Sequence, residues 1–346
     1  MKTRFTFGIA GIVLAGGMAA GSALAQSTVT VGSYGGDWGE AFRIAALEPI
    51  AKELGITIRQ VSYNSVSEVK LQVDAGVVSI DIADLAAADC ILGGQQNLFE
   101  SLDYGVIDKT RVPEEFAREK WIIGPTYYST VMAFRTDAFG GNNPQSWADF
   151  WDVERFPGTR ALWNYPVSML EIALMADGVA PDKLYPLDVD RAFAKLREIK
   201  PHVTVWWSSG GQSAQLLADG EADMLAMWNG RAAGPIKDGV PAAYTFNQGL
   251  LGFDCLAIPR GSPNAELAMK VINRILSPEI QANFPLHINY GPVNDQAFKK
   301  GLIDEERWPS INSSPQNIAV QAVQNDDYWA ENLARIQLLW DSFMQE

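Results

Sequence analysis

The sequence predicts an α/β protein with more than one packing unit, each a mostly parallel sheet flanked by helices. Three observations carry this. Short β-branched or apolar runs alternate with helical runs along most of the chain. Glycine-rich breaks fall between a strand and the helix that follows it, as in Ser33-Tyr34-Gly35-Gly36 and Ser208-Ser209-Gly210-Gly211. The chain has 346 residues, more than the ~250–300 at which a single core stops growing.

Thr28 to Gly32 is β-branched and bounded by that first break, so it reads as a strand and then a loop. Ala41 to Leu54 has helical character, with Gly55 as the residue that ends it. Ile56 to Val61 is the second strand, Ser67 to Ala75 a helix stopped by Gly76, and Ile80 to Leu85 the third strand. This βαβαβ rhythm implies right-handed crossovers and a parallel sheet, with ligands bound at the carboxyl ends of the strands. Further on, Thr130 to Phe134 and Arg160 to Trp163 are strand-like, and Ser168 to Ala176 and Val189 to Ile199 helical. Val203 to Trp207, a helix from Gln212 to Ala218, and Met224 to Trp228 repeat the theme. Asp254 to Ile258 reads as a strand returning to the first unit, and Ser277-Pro278-Glu279 caps a new helix. The last helix puts Trp329, Leu333, Ile336, Trp340 and Phe343 on one face, at spacings of three and four.

The amino terminus has the three parts of a secretory leader: Lys2 and Arg4, an uncharged stretch from Phe5 to Ala20, and Ala23-Leu24-Ala25. The stretch is short and glycine-rich for ~30 Å of hydrocarbon, so a cleaved signal peptide over residues 1–25 is expected rather than an anchor. The mature chain then starts at Gln26 and is exported. Loss of Lys2 and Arg4 takes the formal net charge from −14 to −16. That disfavours nucleic acid and an anionic membrane surface as partners, because both require a basic footprint.

Cys90 and Cys255 are the only cysteines. In an oxidising compartment they either pair or stay as two buried thiols, and both readings stand. His202 and His287 are the only histidines, with no HExxH, CxxC or histidine-rich tract. No transition-metal site and no cofactor is therefore expected. The sequence holds no G-x-S-x-G elbow, and neither histidine has a nucleophile partner, so no catalytic residue is nominated. A secreted hydrolase using paired carboxylates is the remote alternative.

At this point the order of motifs resembles a known family. The loop Ser33 to Trp38 after strand one, Gly220 to Met224 with Trp228-Asn229-Gly230, Asp254 to Pro259, and Tyr290-Gly291-Pro292 are together similar to the spermidine/putrescine-binding group of type II periplasmic binding proteins. The resemblance implies two α/β lobes joined by crossover strands, near Tyr128–Phe134 and Gly252–Ile258, with the ligand trapped between them. Lobe 1 is then 26–129 plus 254–295, and lobe 2 is 130–253 plus 296–346. It also implies periplasmic location, a monomer, and delivery of a small molecule to the membrane permease of an ABC importer.

The departures from that group carry the ligand reading. Polyamine binders hold ammonium groups with carboxylates and aromatic walls. One carboxylate position is kept as Asp254, but the loop that supplies further acids reads Asn164-Tyr165-Pro166-Val167-Ser168, with no acid before Glu171. Arg231 follows the Trp-Asn-Gly motif directly, and a guanidinium repels a dication but suits a carboxylate. The competing reading makes Arg231 a solvated surface arginine and Asp254 an ordinary strand-end acid. Ser209 and Gln212 open a helix, where N–H groups attract anions, although plain capping explains a serine there equally well. Trp38, Tyr165, Trp228 and Tyr290 are the candidate aromatic walls, with Trp163 and Trp207 as further members of the box. Tyr127-Tyr128 resembles the paired tyrosines of ferric-ion binders, but its apolar surroundings favour packing. The expected ligand is an ω-amino acid such as γ-aminobutyrate, bound by Arg231 and Asp254 at opposite ends; a polyamine is the alternative.

Overall fold

The short apolar runs separated by glycine breaks become the strands of a single sheet whose two halves share their central strands. The computed structural model describes Met1, residues 27–62 and residues 65–346. The signal-peptide reading lies, Met1 apart, outside the described residues, as does the Gln26 start. Among the described residues the strands are β1 (Thr28–Ser33), β2 (Thr57–Ser62), β3 (Ile82–Ala86), β4 (Trp121–Arg135), β5 (Arg160–Trp163), β6 (Val203–Trp207), β7 (Met224–Trp228), β8 (Ala242–Ala257), β9 (Gly291–Pro292) and β10 (Ala322–Val323). Their order is β2-β1-β3-β8-β4-β7-β5-β6, with β9 beside β4 and β10 beside β8. The outer strands pair in parallel, β1 with β2 and β3 and β5 with β6 and β7. The centre is antiparallel, where β8 pairs with β3 and β4, and β4 with β7.

Each end of the sheet buries its own apolar cluster. One gathers Val29, Val31, Phe42, Ile50, Ile122, Leu256, Ile272 and Phe284; another gathers Phe134, Phe150, Leu162, Ile172, Leu196 and the C-terminal helix. That helix, Asp326–Gln345, buries Trp329, Ile336, Trp340 and Phe343, the stripe read from the sequence, with Leu333 partly exposed beside them. Ala297, Phe298, Ile303 and Ile311 pack a small separate cluster with Ala282.

The helix after β1 starts earlier than Ala41. Gly36–Phe42, a π-wound turn Arg43–Leu47 and Glu48–Leu54 run on continuously, and Gly55 ends them at φ 64°. The early start matters, because it places Asp37 and Trp38 in the first turn, at the carboxyl end of β1. Cys90, on the helix Ala87–Gln95, forms a disulfide with Cys255 on β8, so the paired alternative is the one realised. The bond ties the helix after β3 to the strand that carries Asp254. Among the described residues no helix is long and apolar enough to cross a membrane.

Candidate functional site

Parallel strands leave their carboxyl ends open for ligands, and here the ends of both half-sheets point at one cavity. It measures about 250 Å³. From the first half come Tyr34 and Trp38, just after β1, and Ala86 at the end of β3. From the second come Trp163 at the end of β5, Trp228 at the end of β7, and Arg231 in the first turn of the helix Asn229–Lys237. The central strands contribute Tyr128 from β4 and Asp254 from β8, and Tyr290 closes the wall just before β9.

The walls are aromatic and mutually supported. Trp228 stands edge-on to Tyr128, Trp163 and Trp207, with ring centres 6.4, 5.2 and 5.4 Å away. Trp38 stacks on Phe42 and Phe284 and leans against Tyr290 at 5.8 Å. Its Nε1–H donates to Ser33 Oγ and to Asp84 Oδ2, so one edge of the ring is fixed and its orientation is set. Close approach depends on two glycines. A Cβ on Gly210 would lie 2.9 Å from Arg231 Nε and from Trp228 Cζ3, and one on Gly230 would lie 2.5 Å from Tyr290 Cε1.

Polar groups of opposite character divide the cavity. Arg231 Nη1 reaches Asp37 Oδ2 at 3.2 Å, with the arginine side chain 13% exposed and the aspartate 83%. Arg231 Nε and Trp228 Nε1 are buried donors with no acceptor among the described residues. A buried donor left unmatched costs ~1–3 kcal/mol, so this edge of the cavity favours an acceptor. Asp254 is the reverse: its carboxylate accepts no hydrogen bond from a described residue, and burial, then the nearby Asp84, push its pKa far above the usual carboxylate range. Burial also raises the Tyr34 and Tyr128 hydroxyls, with Asp254 adding to both, so both stay neutral donors.

Of the residues nominated from sequence, the structure brings together Trp38, Trp228, Arg231, Asp254 and Tyr290. It does not place Tyr165, Ser209 or Gln212 in the wall. Tyr165 packs on Trp163, with ring centres 4.9 Å apart. Ser209 Oγ accepts the N–H of Gln212 at 3.2 Å, and Gln212 Oε1 accepts the N–H of Ser208, so both side chains serve to cap the helix start. Trp207 is fully buried behind Trp163 and Trp228, and its Nε1–H donates to Ala226 O. The Tyr127-Tyr128 pair splits: Tyr127 packs on Phe253, whereas Tyr128 faces the cavity instead of packing. Sequence reasoning missed Tyr34, Ala86 and Tyr128. The signal for Tyr34 and Ala86 was the carboxyl-end rule itself, since each ends or follows a parallel strand.

The family model described as bacterial extracellular solute-binding protein matches residues 45–309. A solved ABC-transporter substrate-binding protein from Bradyrhizobium japonicum USDA 110 is 47% identical, with TM-score 0.89 over 92% of this chain and 99% of that one. The protein MotA from A. tumefaciens B6, solved in complex with glucopine, is 37% identical, with TM-score 0.84 over 91% and 99%. The gamma-aminobutyric acid-binding protein of Pseudomonas aeruginosa PAO1 is 33% identical over 90% of both chains. This chain is thus a binding protein and not an enzyme, with the two-lobed α/β fold of the periplasmic binding proteins, and it belongs to the bacterial extracellular solute-binding protein family.

Proposed function

We propose that the chain is the periplasmic receptor of an ABC importer for a small solute carrying an ammonium at one end and a carboxylate at the other, an ω-amino acid such as γ-aminobutyrate. Asp254 takes the ammonium, and Arg231 with Trp228 Nε1 takes the carboxylate. The rings of Trp38, Tyr128, Trp163 and Tyr290 cover the methylenes between. The supporting observation is the matched polarity of one small cavity: unpartnered buried donors at Arg231 and Trp228, and an unpartnered carboxylate at Asp254. The relative named for γ-aminobutyric acid is in accord with it. The cavity of about 250 Å³ suits a compact ligand better than a long one.

The reading includes a leader over residues 1–25 and lobes of 26–129 plus 254–295 and 130–253 plus 296–346, which close about the central strands. A polyamine remains the second reading, favoured by the two acidic groups, Asp254 in the wall and Asp37 beside Arg231, against one arginine in the wall.

Isothermal titration with γ-aminobutyrate, putrescine, spermidine and glucopine tests it, with tryptophan fluorescence as a parallel readout of Trp228 and Trp163. Saturable 1:1 binding of γ-aminobutyrate, with weak or no binding of the polyamines, is expected. Putrescine binding without γ-aminobutyrate binding refutes the zwitterion reading, and binding of glucopine alone points to a larger amino-acid conjugate.

A further inference from the structure

Asp84 sits outside the cavity wall, yet its geometry bears on what the wall can hold. In the antiparallel β3/β8 ladder Ala86 faces Asp254 and Asp84 faces Leu256. Asp84 and Asp254 are therefore diagonal neighbours on one face of the sheet, where Cβ atoms come within ~7–8 Å. Asp84 is fully buried. Its Oδ2 accepts from Ser33 Oγ at 2.7 Å and Trp38 Nε1 at 3.0 Å, while its Oδ1 is buried with no partner among the described residues. The groups around the pair add no positive charge. Tyr34, Tyr128 and Tyr290 face Asp254 from the loop after β1, from β4 and from the segment before β9. Asp326 faces it from the C-terminal helix, and Asp89 lies near Tyr34 from the helix after β3. Arg231 lines the same cavity and acts on Tyr290, but its guanidinium is engaged by Asp37.

Two carboxylates this close, with no cation paired to either, do not both ionise. We infer that Asp84 and Asp254 hold one proton between them in the ligand-free protein, and that an entering ammonium group displaces it, so that Asp84 makes ligand capture release a proton. The exchange balances: the carboxyl O–H proton passes to water, and the ligand, already an ammonium, keeps its own. Burial raises both groups, Asp84 to about 7, which keeps at least one of them protonated at pH 6. The inference rests on the proposed ammonium site at Asp254, but it is indifferent to whether the ammonium belongs to an amino acid or a polyamine.

The test is titration calorimetry of γ-aminobutyrate and of putrescine at pH 6 in two buffers of different ionisation enthalpy. Release of about one proton per ligand is expected, with affinity tightening by up to about tenfold per pH unit until the pair is ionised. Asp84→Asn should cut the release by more than half and move the levelling-off to lower pH. Ser33→Ala, which removes a donor from the charged form, should move it to higher pH. Binding of either amine without proton release, or release unchanged in Asp84→Asn, overturns the inference and leaves the solute reading standing. If neither amine binds, that reading fails, and carboxyl NMR of the ligand-free protein decides the inference alone. A carboxyl signal titrating near neutral pH should vanish in Asp84→Asn, while those of Glu171 and Asp326, also raised to about 7, persist. Its survival in Asp84→Asn refutes the shared proton.

Discussion

Arg231 has two possible partners, and substitution separates them. The first is Asp37, at 3.2 Å. With the aspartate 83% exposed, this ion pair is worth at most ~1 kcal/mol, or about fivefold in affinity if it forms only on closure. The second is the ligand carboxylate, which would meet Arg231 on its buried side, where Nε lacks an acceptor. Removing one partner of a desolvated charge pair typically costs ~2–5 kcal/mol, roughly 30- to several-thousand-fold. Arg231→Ala should therefore weaken γ-aminobutyrate binding at least ~30-fold, whereas Asp37→Asn should change it less than about fivefold. In the double variant the Asp37 effect should disappear into that of Arg231, because the pair no longer exists. Arg231→Lys should fall between, since it keeps the charge but loses the planar fork. The assay is isothermal titration at two salt concentrations. Only the exposed Asp37 contribution should fade as ionic strength rises. An Arg231→Ala protein that binds γ-aminobutyrate as tightly as the parent refutes the anchor, and one that binds putrescine more tightly transfers the case to a polyamine.

Gly230→Ala places a Cβ 2.5 Å from the Tyr290 ring and 3.0 Å from Ile288 Cγ1, and overpacking of this kind costs ~1–3 kcal/mol. Affinity should fall about 5- to 150-fold with less compaction in small-angle scattering at saturating ligand; a change under twofold would show that the contact yields freely. Glu171 is fully buried, accepts from Tyr185 Oη and Trp329 Nε1, and is pushed up to about 7, chiefly by burial. A raised carboxyl holds its proton more tightly in the folded state, so Glu171 alone should contribute a fall of ~3 kcal/mol in stability as pH rises from below 4.5 through about 7. Chemical denaturation of Glu171→Gln should show that part of the loss removed between pH 5 and pH 8, and parallel pH profiles for variant and parent would contradict the assignment.

Much of the fold is legible because short buried strands are bounded by unambiguous breaks. Arg160–Trp163, Val203–Trp207 and Met224–Trp228 coincide with their sequence limits, as does the helix Val189–Ile199. The central strands were legible only at one end. Gly124-Pro125 interrupts β4, where the register with β8 shifts between Ile123 and Tyr127, and Gly249 and Gly252 punctuate β8. Both strands nevertheless run on continuously through these residues. At Gly252 a Cβ would fall 2.6 Å from the Tyr128 ring, so the glycine admits a cavity residue. The site divides in the same way. Arg231 and Asp254 stand out because a lone charge beside an apolar strand end needs a reason. Asp84 does not, because its nearness to Asp254 depends on a ladder between residues far apart in the chain, which no local pattern records.

That ladder also governs the order in which the molecule can assemble. β1, β2 and β3 occupy the first 86 residues, but the next strand in the sheet, β8, ends at Ala257. Until β8 is available, β3 presents a bare edge, and an apolar edge without a neighbour is prone to pair with other chains. The second half-sheet is bound by the same strand, since β4 and β10 both pair with β8. Neither half can therefore be excised as a self-sufficient fragment. A truncation before residue 242 should leave an aggregation-prone chain rather than a half-receptor, and any attempt to graft this binding cavity elsewhere has to carry β8 intact.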